Sequence, residues 1–398
     1  MADQICKVGT QRFDWIDNLR SLNILGTVAF HASLSYSPYI IDNQFEVLKA
    51  FPLIQTNQPV LGVDILLGLR LSYAMQLMFY ISGLFVWRSL RKRGWRQYIH
   101  TRLKRLLIPF ACGYLIIMPI TYAAAMVQNE RSITDILITV TKSFIPGTAG
   151  FGQLWFLLLL FAFDLIAATI YAWHHEYLEK KLQNTSSTML YGLLVVSVIA
   201  GYLLLVNSAD RSGWTRIVGN LIAPLPRIGM YAAYFTVGII SGYLGLKERT
   251  KAEFLFTPCS NLKPKIPVGF MTVALFIASG LARAYVEINK NILENQLAWL
   301  AINTLYPITG LFIVMSLILL AKRYLNFNSP LMRNLNKNSY GIYIIHWAYV
   351  SWIQLVLTHV NTPAAINPWI ATCIAIPASW LTSAWMNQNR LGQIVLGP

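Results

Sequence analysis

Apolar residues in this chain come in long blocks. Runs of roughly 18 residues or more, built from Leu, Ile, Val, Phe and Ala, recur from one end to the other, each long enough to cross a hydrocarbon layer about 30 Å thick. The blocks predict about ten helical spans, at 21–39, 71–87, 106–126, 153–173, 189–207, 229–246, 267–285, 297–321, 340–359 and 367–386. Only short polar connections separate them, the longest being 40–70. The pattern predicts an all-α protein, a polytopic transmembrane bundle forming a single integral-membrane domain over 1–398.

An even number of spans puts both termini on one side. Cytoplasmic loops are rich in Lys and Arg, and placing the termini inside puts most of the 32 basic residues there, eight of them in 88–105 alone. The N-terminal segment 1–20, the basic loop 88–105 and the tail 387–398 are then cytoplasmic. Composition agrees, since 12% of the residues are charged where soluble domains carry about a quarter. The net charge of +16 is therefore topology and attraction to anionic headgroups, and nucleic acid is not an expected partner. The first apolar run is about span-length and lacks a small-residue cleavage site, so it stays as a helix. Cys6, Cys112, Cys259 and Cys373 form no CxxC pair, and neither a disulfide nor a metal site is expected. No internal repeat is visible, which counts against the inverted-repeat transporter folds.

One span carries unexpected chemistry. Arg20 and His31 are eleven residues apart, about 1100° of helix or about 20° past three turns, so they share a face and are separated by roughly 16 Å of rise. Asp17 lies one turn before Arg20, and Ser35 one turn beyond His31. A polar stripe thus runs from the mouth of the span to mid-membrane. Ionisable groups inside a span are expensive and commonly functional, and imidazole is suited to exchanging a proton near neutral pH. The structural alternative is a histidine satisfied by hydrogen bonds to neighbouring helices.

The opening "WIDNLR", with Arg20 followed ten intervening residues later by His31, resembles the first motif of the acyltransferase-3 family of membrane O-acyltransferases. The stretches "MFYISGLF" (78–85), "RLKRLLIPF" (102–110), "LWFL" (154–157) and "NSYGIYIIHW" (338–347) resemble later family motifs in the same order. "FHASLSYS" (30–37) and "MQLMFYISG" are most similar to the branch that succinylates periplasmic glucans. The resemblance implies transfer of an acyl group, commonly acetyl or succinyl, from cytoplasmic acyl-CoA to a hydroxyl of a glycan or other acceptor, in the bacterial inner membrane. It implies catalysis by His31, as general base or acyl acceptor, with Arg20 also essential and Asp17 beside it. No bound cofactor is implied; acyl-CoA is the donor substrate, and membrane lipids are the surroundings. A His often precedes the LWFL in the family, but Gln153 stands there, so no role of that His carries over.

The basic segment then acquires a second meaning. Eight basic residues exceed what orientation needs, and CoA carries phosphates that Arg and Lys recognise by charge-assisted hydrogen bonds. Arg88, Arg102 and Arg105 are the donor-binding candidates, with anionic lipid as the competitor. His346, with Tyr340 and Tyr343 on about its face, is a candidate for lining the acyl tunnel. Asp164 is a further mid-membrane group that either orients His31 or neutralises an Arg. Ser82 and Gly83 favour close helix packing, and His174 and His175 fall at a loop edge. The competing function is a proton-coupled transporter or flippase for an anionic glycan or lipid, with His31 and Asp164 as its relay. For the topology, a reporter fused after Pro398 is expected to be active in the cytoplasm. Activity there of a reporter that works only in the periplasm overturns the span count.

Overall fold

A computed structural model describes residues 13–43, 51–145, 149–183, 187–208, 214–218, 221–247, 268–288 and 296–396. A helix covers each predicted block: α1 (Asp14–Leu34), α2 (Val63–Leu84), α3 (Val86–Gln128), α4 (Trp155–Gln183), α5 (Ser187–Leu203), α6 (Leu225–Lys247), α7 (Val268–Ile288), α8 (Gln296–Tyr324), α9 (Pro330–Thr358) and α10 (Asn367–Met386). Among the described residues six of these, α2, α3, α4, α8, α9 and α10, are long and apolar enough to cross a membrane. Helix α1 is more polar, with Asp14, Asp17, Asn18, Arg20 and Asn23 in its first half. Among the described residues the exception to the all-α expectation is a short antiparallel hairpin, β1 (Thr215–Val218) with β2 (Leu221–Ala223). It is too brief and too apolar to stand out between two spans.

Several helix starts lie earlier than hydropathy places them, those of α1, α2, α3 and α9 by seven residues or more. Helix α1 begins at Asp14 because Asp14 and Asp17 favour the positive end of a helix, and neighbouring helices give partners to Asn18 and Asn23. Helix α2 begins after Gly62, whose φ of 88° turns the chain into it. This shift takes Arg70 from the edge of a loop to the inside of a helix. The basic segment is likewise helical where a loop was expected: it forms the start of α3, broken at Gly94 with φ 75° and ψ 162°. Its Arg, Lys, Gln and Leu are good helix formers, and the glycine supplies the turn.

Helix α9 is the axis of the bundle: 72% of its apolar window is buried, against 22% for α10. Ser329 caps its start by accepting from the Met332 amide at 3.2 Å, and Pro330 follows at the first helical position, where no amide is missed. Helices α1 and α10 pack against it. Within "NSYGIYIIHW", Gly341 leaves room for Ser383 of α10, whose hydroxyl donates to the Asn338 carbonyl at 3.1 Å. Helices α2 and α6 approach backbone to backbone: a Cβ on Gly238 would sit 2.4 Å from the Tyr80 carbonyl oxygen, and one on Gly83 2.3 Å from that of Phe235. Small residues at such crossings allow the close contact on which helix association in lipid depends.

Candidate active site

Helices α1 and α9 each turn a histidine toward the other. His31 Nδ1 lies 2.8 Å from His346 Nε2, and the rings overlap at 5.0 Å between centroids. His346 Nδ1 lies 3.0 Å from the Ile342 carbonyl one turn earlier. A carbonyl only accepts, so that nitrogen carries the proton. In a neutral His346, Nε2 is then a lone pair that accepts from His31 Nδ1–H, and His31 keeps Nε2 as its basic nitrogen. His346 is 0% exposed while His31 retains 8%. Both rings are buried, His346 the more completely.

Trp347 stacks on His31 at 4.2 Å, and Phe30 meets it edge-on at 5.3 Å. The indole face favours a transient imidazolium. Beyond Trp347 an aromatic wall continues through Phe51 at 6.1 Å, Trp214 of the hairpin at 5.2 Å from Phe51, and Trp155 at 5.9 Å from Trp214. The hairpin therefore serves the site by delivering Trp214.

The other sequence candidates distribute as follows. Arg20 and Asp17 pair with each other at 3.3 Å near the start of α1, about three turns from His31. Ser35 donates to Gln354 Oε1 at 3.4 Å, and Gln354 Nε2 donates to the Ala32 carbonyl at 2.8 Å, so this pair seals α1 to α9 beyond the histidines. Tyr343 donates to the Gln153 carbonyl, and its ring is 6.3 Å from His346. Gln153 in turn donates to the Ile344 carbonyl at 3.0 Å, leaving its own Oε1 buried and unpartnered. Tyr340 donates to the Arg105 carbonyl at 2.7 Å. The Arg105 side chain is exposed and that of Arg88 half-buried.

Asp164 takes the second of its two expected roles. Tyr98 donates to its carboxylate, and Arg102 Nε lies 3.2 Å from Oδ2. It pairs with neither histidine, so the relay of the transporter reading is not assembled. Its partner Arg102 is engaged inside the bundle and stacked over Tyr98 at 5.1 Å. Of the three donor-binding candidates, Arg102 is the one paired with a buried carboxylate. His174 and His175 lie within α4 and not at its edge; His175 Nδ1 donates to the Tyr171 carbonyl at 3.1 Å. Cys112 and Cys373 are free thiols, while Cys6 and Cys259 lie outside the described residues. Among the described residues no cluster of His, Cys, Asp or Glu could hold a metal.

Sequence reading passed over Arg70. Its guanidinium donates to Asn23 Oδ1, Asn23 O, Thr27 Oγ1 and Tyr73 Oη at 2.8–2.9 Å, and its Nε is buried and unpartnered. Thr27 is one turn before His31 on the same face. Gly26 admits the group, since a Cβ there would sit 2.8 Å from Nη1. The signal was the 71–87 boundary, drawn one residue after the arginine.

This arrangement meets the comparisons with known proteins. The acyltransferase-3 family, described as an acyltransferase domain, matches residues 13–387. The chain belongs to that family. It is a membrane acyltransferase. Among its curated relatives, the glucans biosynthesis protein C of Escherichia coli O1:K1 / APEC is 22% identical over 343 residues, covering 85% of this chain and 82% of the relative. The proteins of that name from E. coli strain SMS-3-5 and from Shigella dysenteriae serotype 1 (strain Sd197) are each 23% identical over 348 residues, with the same coverage. No solved structure matches the chain.

The Arg102–Asp164 pair is testable. Removing one partner of a buried ion pair leaves an uncompensated charge and costs of the order of 3 kcal/mol. Asp164→Asn is expected to lower the thermal midpoint of the solubilised acyltransferase markedly, and adding Arg102→Gln to restore part of it. Equal or additive losses would mean the two charges are independent.

Proposed function

We propose that this acyltransferase moves an acetyl or succinyl group from cytoplasmic acyl-CoA to a hydroxyl of a periplasmic or cell-surface glycan. The observation that carries the reading is the His31–His346 hydrogen bond, a tautomer-fixed base in the apolar interior of an acyltransferase. The relatives' name, glucans biosynthesis protein C, points to a glucan as the acceptor class. The chain then sits in the bacterial inner membrane as a multi-pass protein of ten spans with both termini cytoplasmic.

In this reading the CoA phosphates are held at the charged end of the bundle by Arg20, Arg88 and Arg105. Arg102 and Asp164 brace that mouth, and Asp17 fixes Arg20. The pantetheine arm rises beside α1, past His346 and Tyr343, and brings the thioester to His31. The acceptor O–H gives its proton to His31 Nε2 as its oxygen bonds to the carbonyl carbon. The tetrahedral intermediate collapses, the C–S bond breaks, and the CoA thiolate takes the proton back from the imidazolium. His346 keeps Nδ1–H of His31 engaged throughout, as an orienting partner does in other histidine sites. The unfilled Nε–H of Arg70 and its charge, one turn below the imidazole, favour the oxyanion of the intermediate. The same imidazole is also able to accept the acyl group itself.

This division of labour is testable at three points. His31→Ala is expected to insert normally, bind acyl-CoA and lose transfer by several orders of magnitude. His346→Gln, which loses the tautomer lock, should lower kcat by roughly 10²-fold or more with the donor KM nearly unchanged. Near-normal transfer by purified His31→Ala would make the imidazole structural. At the charged end, replacing Arg88 and Arg105 by Gln should raise the KM for acyl-CoA about tenfold or more, given about 1.5–3 kcal/mol per charge-assisted bond. A changed acceptor KM with an unchanged donor KM would assign that segment elsewhere.

A further inference from the structure

At the end of the bundle opposite the basic segment, Tyr36 just past α1, the ends of α3 and α9 and the start of α10 converge with residues 55–58 on a cavity of about 250 Å³. Gln55, Asn57, Gln58, Gln128, Thr358 and Asn367 provide most of its polar lining, and none of the lining residues carries a charge. This is unusual in a chain of net charge +16, whose other end is dense in arginine. Side-chain amides both donate and accept, which is the complement of hydroxyl groups and a poor match for a phosphate or a carboxylate. Leu357 and Val360 supply an apolar patch beside them, suited to the C–H face of a sugar ring. The volume is below the roughly 300–1,000 Å³ of pockets that enclose a drug-sized ligand, so it holds one unit of a larger molecule.

The cavity is joined to the catalytic histidine by the chain itself. The strap that lines it starts at Phe51, stacked on the Trp347 that covers His31. Ser351 of α9 donates to the Pro52 carbonyl at 3.4 Å, and Ile54 is buried against Ala124 and Leu355. Gln128 then clamps Gln55 from both sides: the Gln55 amide donates to its Oε1 at 2.8 Å, and its Nε2 donates to the Gln55 carbonyl at 2.6 Å. Four residues of extended chain cover at most about 14 Å, so the cavity opens within about that distance of the aromatic wall.

We propose that this cavity is the acceptor subsite. It binds one unit of an uncharged, polyhydroxylated acceptor, an oligosaccharide, so that a neighbouring unit lies along the Phe51 strap with a hydroxyl toward His31. The assignment rests on the acyltransferase reading given above. It divides the molecule by chemistry: the anionic donor is held by cations at one end, and the neutral acceptor by amides at the other.

Direct binding tests it without requiring turnover. The full-length protein in lipid nanodiscs is titrated with a neutral glucose oligosaccharide, and binding is read by saturation-transfer NMR and equilibrium dialysis. Wild type and His31→Ala are expected to bind alike. Asn57→Ala/Gln58→Ala, which changes two exposed amides and no packing contact, is expected to bind about tenfold more weakly or worse, the loss of about two to four hydrogen bonds. An oligosaccharide of the same length bearing uronic acids should bind no better than the neutral one. Absence of binding by wild type, equal binding by the double variant, or preference for the acidic sugar each overturns the proposal. Should binding follow the expected pattern while labelled acyl-CoA yields no acylated sugar, the subsite stands and the catalytic reading falls.

Discussion

A hydrogen bond between two neutral imidazoles in an apolar interior sets conditions that much of this bundle meets. The bond requires α1 and α9 to be held at one separation and one register, because a buried polar nitrogen that loses its partner costs about 1–3 kcal/mol. Contact between apolar faces does not hold helices together in lipid as it does in water, so the seam is built from polar clamps. Below the histidines, Asn336 donates to Asn18 at 2.7 Å, and Asn18 donates to the Leu325 and Phe327 carbonyls, both at 2.8 Å. Above them, Gln354 reaches the Ala32 carbonyl and accepts from Ser35. The histidine pair sits between two fixed points and inherits its geometry from them.

Charge in the interior follows a second rule. Each buried guanidinium is given partners of a particular kind, and the kind differs with position. Arg102, at the charged end, is neutralised by Asp164 with Tyr98 alongside. Arg70, deeper and close to His31, is met by amide, carbonyl and hydroxyl oxygens alone among the bonds it makes. These satisfy its donors without cancelling its charge. Under the proposed mechanism, a full ion pair at that depth would remove the field that a developing oxyanion needs, and neutral acceptors preserve it. Arg227, buried among Tyr306, Tyr231 and Tyr202 with its guanidinium 5.8 Å from the Tyr306 ring centroid, follows the neutral pattern as well.

The blocks of apolar residues disclosed the helical architecture because the bilayer imposes a length on each block, and the Arg20–His31 stripe pointed to the helix that carries one of the paired histidines because a charge in a span is costly. What stayed hidden depends on tertiary partners. Helix α1 starts at Asp14 since Asn18 and Asn23 are satisfied by other helices, which hydropathy averaging cannot know. The same averaging cut α2 at residue 71 and lost Arg70. Asp164 was visible as an expensive group, but its partner was not, because Tyr98 and Arg102 lie more than sixty positions away. His346 was a tunnel candidate because Tyr340 and Tyr343 share about its face; that it bonds His31 is a matter of helix rotation, which no single-helix periodicity fixes. The hairpin was missed because seven residues between two spans leave no periodic signature.

Seam residues of similar appearance therefore differ in what they do. Interhelical hydrogen bonds in membranes contribute modestly, about 0.6 kcal/mol on average, because the separated helices find other partners. Gln354 and Ser35 belong to this class: they help set the register, and several other contacts share the task. His346 does more than hold the seam: with one nitrogen on the Ile342 carbonyl and the other on His31, it bears, together with the Thr27 carbonyl, on which nitrogen of His31 carries the proton. An amide at that position is able to hold the helices together while leaving the tautomer free. In the proposed mechanism stability and catalysis thus draw on the same seam, and His346 is where a replaceable helix contact coincides with a proton position.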